Sequence, residues 1–120
     1  MANLSEEIQT LLDVDGSLCA AVVDSNNGMI LASCGSGVDI EIAAAGNTDV
    51  LRAKMKTMKL LALNDRIDDI LITLGKQYHI IRPVQAVEGA FIYLVLDSKR
   101  ANLALARRKA HDFETTINSI

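Results

Sequence analysis

The side chains best suited to chemistry are two cysteines, Cys19 and Cys34, two histidines, His79 and His111, and the adjacent carboxylates Asp68 and Asp69. Cys19 falls in the apolar run Ser17–Asp24 and Cys34 ends a second run, Met29–Cys34, with Ser25-Asn26-Asn27-Gly28 between them. This predicts a β-hairpin, because Asn-Gly tolerates the positive φ angles of a tight turn. Pairing Ser25 with Gly28 sets Cys19 opposite Cys34, whereas a turn on Asn27-Gly28 sets Cys34 opposite Ala21. Both registers share a parity, so both predict the two sulfurs on one face. Neither thiol has the basic, exposed setting that lowers its pKa, so the pair reads as small buried apolar residues that resist alkylation.

The remaining candidates fare no better. No carboxylate or cysteine stands at metal-ligand spacing beside His79 or His111, and no serine or threonine nucleophile signature is present. His79 reads as a sheet residue and His111 as a solvated helix position. Asp68 and Asp69 precede a strand and point to opposite faces, so they cannot act together on one substrate. Cys34-Gly35-Ser36-Gly37 leads into a helix start, where backbone N–H groups can hold phosphate. A Walker loop would end in Gly-Lys-Ser/Thr, however, and Ile40 stands where a dinucleotide turn needs its third glycine. The sequence therefore predicts no catalytic constellation, no metal set and no cofactor.

Half of the residues are apolar and 22% are charged, which describes a well-cored chain, and 120 residues suffice for a single domain over 1–120. A net charge of −3, no Trp and only two Phe and two Tyr argue against nucleic acid as a partner. The N-terminus lacks a basic segment followed by an apolar one, and no apolar run is long enough to span a membrane. Two cysteines without an export signal fit a reducing, cytoplasmic setting.

The elements that position these residues follow from periodicity. Leu4, Ile8, Leu11 and Leu12 predict an amphipathic first helix, stopped by Asp13–Gly16. After the hairpin, Asp39 or Ser36 caps a long helix that ends at Asn64-Asp65, with Ile40, Ala43, Ala44, Leu51, Met55, Met58 and Leu61 as its stripe. Asn47-Thr48-Asp49 weakens its middle, but the stripe keeps phase across them, so one helix is expected. Strands follow at Ile67–Leu74, Tyr78–Val84 and Ala90–Leu96, the first and last apolar on both sides of the pleat. Asp97 or Ser98 caps a final helix with the stripe Leu103, Ala106, Ala110, Phe113, Ile117 and Ile120. The order α-β-β-α-β-β-β-α, with hairpin connections, predicts an α+β fold with a five-stranded antiparallel sheet covered on both faces. Lys54, Lys56 and Lys59 on the long helix, and Arg100, Arg107 and Arg108 with Lys109 near and on the last, are solvated faces or a docking surface for an acidic partner.

The run Gly16-Ser-Leu-Cys-Ala-Ala-Val-Val-Asp24, the strand Gly28-Met-Ile-Leu-Ala-Ser33 and the Ala-rich middle helix resemble the Roadblock/dynein light chain family. Tyr78-His-Ile-Ile-Arg-Pro-Val84, Phe91-Ile-Tyr-Leu-Val-Leu-Asp97 and Asn102-Leu-Ala-Leu-Ala-Arg107 are similar to its second half. The final helix is like that of prokaryotic members. The resemblance implies a profilin-like fold with the sheet between the middle helix and the two terminal helices, and a non-enzymatic homodimer. It places Ile40, Ala43, Ala44, Asn47 and Leu51, with Ile67, Asp69, Leu71 and Thr73 of the third strand, at the dimer interface. Relatives of this type bind Ras-like small GTPases as regulators or scaffolds. The alternative is a structural dimerisation subunit without a GTPase partner, and a sensor built on the cysteine hairpin comes third.

Overall fold

A computed structural model describes residues 3–119, so Ile120 of the predicted last stripe lies outside the described residues. Helix α1 (Leu4–Glu7) continues as a 3-10 segment, Ile8–Asp13, before β1 (Ser17–Asp24) and β2 (Met29–Gly35). Helix α2 (Ile40–Leu60) follows, then β3 (Ile70–Thr73), β4 (Gln77–Pro83), β5 (Ala90–Asp97) and α3 (Leu103–Glu114). The strands form one antiparallel sheet in the order β2-β1-β5-β4-β3, which puts β3 at an edge.

Strand β5 lies at the sheet centre, and the apolar run Ala90–Leu96 is buried throughout. Alternate residues feed two cores. Ile92, Leu94 and Leu96 join Ile8, Leu11, Ala106, Phe113 and Ile117 under the terminal helices. Phe91, Tyr93 and Val95 join Cys19, Ala21, Val23, Ala44 and Leu51 under α2. The fold is thus α+β, with α2 on one face of the sheet and the terminal helices on the other.

Several boundaries differ from the sequence reading, each for a local reason. The first helix tightens to 3-10 geometry at Ile8 because residues three apart then eclipse, which turns both Ile8 and Leu11 fully inward. Helix α2 runs unbroken through Asn47-Thr48-Asp49 and is capped by Asp39, whose carboxylate accepts from the Ile42 N–H at 3.2 Å. It ends at Leu60, ahead of Asn64-Asp65. Ala62 takes a left-handed conformation (φ 56°). Its N–H reaches the Lys59 carbonyl at 3.1 Å and that of Leu63 reaches Met58 at 3.0 Å, a Schellman closure built on alanine. The expected strand Ile67–Leu74 shrinks to four residues and is half-buried, not covered on both faces. Asn102, rather than Asp97 or Ser98, caps α3, accepting from the Leu105 N–H at 3.2 Å. Asp97 instead holds the preceding turn through the Lys99 N–H.

The hairpin register is also corrected. Asp24 pairs with Met29 and Val23 with Ile30, in line with the first of the two predicted registers, but Val22 then pairs with Ala32. Leu31 is an extra residue, a β-bulge that shifts parity by one. Cys19 therefore faces Gly35 and Cys34 faces Ala20. The sulfurs lie on opposite faces of the sheet: Cys19 under α2, and Cys34 against the other core, with its thiol 3.5 Å from the Ile8 carbonyl.

Candidate interaction surface

Helix α2 divides by rotation into an inner face and two flanks. Ala44, Thr48 and Leu51 form the inner face, and the Thr48 hydroxyl donates to the Ala44 carbonyl at 2.8 Å. One flank faces the β1–β2 turn, where a methyl group added at Gly28 would touch Ala45 and Thr48. The other flank carries Asn47, whose side chain hydrogen-bonds the Tyr93 phenol of β5, and so overlooks the β5–β4–β3 half of the sheet.

Ala43, Gly46, Val50, Ala53 and Thr57 run along this second flank at alternating three- and four-residue steps, and the last four are exposed. Nothing lies within 4 Å of the position where Gly46 would carry a Cβ. A glycine in mid-helix costs roughly 0.5–1 kcal/mol relative to alanine, and the chain's own packing does not require one here. Across from this flank, Ile70 and Ile72 of β3 pack at the margin of the α2-side core. Strand β3 hydrogen-bonds to β4 on one side only, so its outer row of N–H and C=O groups has no strand partner among the described residues. The opposite edge, β2, is broken by the Leu31 bulge, a device that discourages pairing with another strand.

The floor between α2 and β3 is a polar chain. The Nε2 of His79 lies 2.8 Å from Oε1 of Gln77, and its Nδ1 lies 2.9 Å from the Tyr93 hydroxyl. The Gln77 oxygen can only accept, so Nε2 carries the proton and Nδ1 accepts from Tyr93. The two rings meet edge to face, 5.5 Å between centroids. Burial holds the His79 imidazole below the usual histidine pKa. Burial, with Cys19 nearby, pushes the Tyr93 phenol up to about 12 against the opposing hydrogen bond from Asn47. Both cysteine thiols are raised by burial, the setting of unreactive sulfur.

The residues expected at an interface fall into three groups. Ala44 and Leu51 are 0% and 2% exposed within the chain's own core, so they have no area to offer a second chain. Ile40, Ala43 and Ile67 are half-buried at the margin of that core, Leu71 packs on the other core, and Thr73 is exposed. Asp69 accepts a two-pronged ion pair from Arg107, at 2.9 and 3.1 Å. Gly46, Val50, Ile70 and Ile72 also border this surface, and the sequence reading did not single them out. An unforced glycine in a long helix was the available signal.

The basic residues also separate. Arg107 is held by Asp69, Arg100 by Asp15 at 2.7 Å and Arg108 by Asp112 at 3.7 Å. Lys54, Lys56 and Lys59 are exposed and have no ion-pair partner among the described residues. Among those residues, no group of three or more His, Cys, Asp or Glu comes together to hold a metal ion. No described helix is long and apolar enough to cross a membrane.

The module is α+β, with β2 and β3 as the two edges of its sheet and a flank of small residues on α2 overlooking β3. No family model matches the sequence, and no curated protein matches it either. Solved structures do. A Roadblock/LC7 domain from Streptomyces avermitilis superposes with a TM-score of 0.83 at 11% identity, covering 96% of this chain and 94% of its own. Myxococcus xanthus MglB gives 0.83 at 15% identity over 96% and 91%. The gliding protein MglB from Thermus thermophilus gives 0.80 at 17% over 98% and 90%. The chain has the Roadblock/LC7 fold.

Proposed function

We propose that the chain is a non-catalytic homodimeric adaptor that docks a Ras-like small GTPase. The observation that carries the dimer is the pairing of an unprotected β3 edge with the exposed small-residue flank of α2. Two-fold antiparallel pairing of β3 would satisfy both open edges and bring the two α2 flanks together, with Gly46 allowing close approach. An obligate interface of this kind commonly buries about 2,000 Å² or more. Ile40, Ala43, Asn47, Ile67, Asp69, Leu71 and Thr73 surround this contact, with Gly46, Val50, Ile70 and Ile72 at its centre.

The GTPase part rests on likeness to MglB and on what the sequence resemblance implies, since fold alone does not fix function. A dimer of this type offers surface and symmetry and no acid, base or nucleophile. Acceleration of hydrolysis would come from ordering the GTPase's own switch segments. Lys54, Lys56 and Lys59 are the cations best placed to meet such a partner, because Arg100, Arg107 and Arg108 already hold carboxylates of this chain. The test is retrieval from native extract with a non-hydrolysable GTP analogue and, in parallel, with GDP. A small GTPase captured only in the first supports the reading. A dimer that captures none in either leaves a structural dimerisation subunit.

A further inference from the structure

A cleft of about 580 Å³ opens at the end of the sheet, where the segment after α2 leads toward β3. Its wall is the C-terminal half of α2 and the irregular segment after it, and its far side is the β1–β2 and β4–β5 turns. That volume lies within the range of about 300–1,000 Å³ typical of clefts that hold a ligand. Met55, Met58, Leu63 and Ile67 supply its apolar lining, and Arg52 and Lys59 stand on the α2 side. Of these, Met55 and Leu63 are each more than half exposed, apolar surface at the cleft that an occupant would cover. Methionine lining suits a surface that adapts to its occupant.

Charge selects the occupant. Between Arg52 and Lys59 the helix carries Arg52, Lys54, Lys56 and Lys59 and no acid, in a chain whose net charge is −3. The negative end of the helix dipole accounts for a cation or two near Lys59 but not for a run two turns long. Apart from the helix the lining carries Asp65, Arg66 and Glu88, so the α2 wall is the part of the cleft that carries cations alone. We propose that this cleft is a docking site for a short acidic peptide segment of another protein, with two or three Leu- or Met-sized anchors in the cleft and Asp or Glu along α2. On α2 the lining residues Arg52, Met55 and Lys59 lie on the side of the helix opposite Gly46, Val50 and Ala53, and Ile67 is the one lining residue shared with the proposed dimer contact.

The test is fluorescence anisotropy of a labelled peptide with leucines at helical three- and four-residue spacing and glutamates elsewhere, titrated with the full chain. One control peptide carries lysine for every glutamate and another serine for every leucine. The acidic leucine peptide should bind and both controls should not. Arg52→Glu and Met55→Ser should each weaken it about tenfold. Lys109→Glu, on α3 and outside the cleft, should change binding by less than about twofold. Circular dichroism and sedimentation of the same samples keep misfolding and dimer loss separate from loss of the site. Equal binding of the lysine or serine peptide, an equal effect of Lys109→Glu, a peptide that competes only for self-association, or no binding at all would each overturn the proposal.

Discussion

His79 is held neutral by its surroundings. Protonation would place a second N–H against the Tyr93 oxygen, which already accepts from Asn47, and would leave the Tyr93 proton without its acceptor. Its folded pKa is depressed, so the folded state binds fewer protons than the unfolded chain as pH falls past the ordinary value of 6.5. The stability it contributes is present above that value and is lost as pH drops toward the folded pKa. Thermal melts should therefore fall between neutrality and mild acid, and His79→Gln should flatten that slope. An unchanged slope would remove His79 from the account. A second residue-scale prediction concerns Arg82, which donates to Glu114 at 2.7 Å with side chains 14% and 7% exposed. Glu114 also accepts from the Gln85 N–H at 3.0 Å, so this carboxylate ties α3 to the end of β4. Arg82→Ala strands a buried charge and should cost about 3 kcal/mol in denaturant titration. The thiols complete this scale: Cys19 should resist alkylation in the native state, and half-buried Cys34 should label first.

At the scale of elements, the ends of α2 matter more than its middle. The Schellman closure forces alanine into a left-handed conformation that costs roughly 1–2 kcal/mol for residues with a Cβ. Ala62→Gly should recover about 1 kcal/mol, read as a shift in denaturation midpoint at constant m-value. The sequence was legible wherever periodicity and burial agreed. The paired cores show plainly in Ala90–Leu96, where both faces of the strand are apolar, and the α3 stripe from Ala106 to Ile117 shows in its spacing. The Leu31 bulge was not legible, because Met29-Ile-Leu-Ala-Ser33 contains no glycine and nothing in it marks an extra residue. The end of α2 was obscured because Leu61 and Leu63 extend its apolar pattern past the closure that stops it. At the candidate surface, the sequence stripe pointed to Ala44 and Leu51. Periodicity identifies the face a helix buries without saying whether its own sheet or another chain does the burying.

At the scale of the whole molecule, the proposed dimer makes a sharp prediction. Gly46→Leu and Ile72→Asp should each yield a folded particle of 13.0 kDa in sedimentation, with far-UV circular dichroism unchanged. The wild type should sediment at twice that mass at micromolar concentration. A monomeric wild type would remove the basis of the adaptor reading. If the lysines of α2 meet a GTPase, Lys54→Glu with Lys56→Glu should weaken capture and flatten its salt dependence while leaving the dimer intact.

The unequal margins of the sheet carry one more consequence. A molecule sticky along both outer strands could add copies without limit and grow into a ribbon. In the proposed dimer the bulge at Leu31 spoils one border, so once the β3 edges have paired there is no regular strand edge for a third copy to zip on. Crowding such a protein should fill the pairs more completely without lengthening the assembly, and straightening β2 by deleting Leu31 should remove that ceiling and let filaments form.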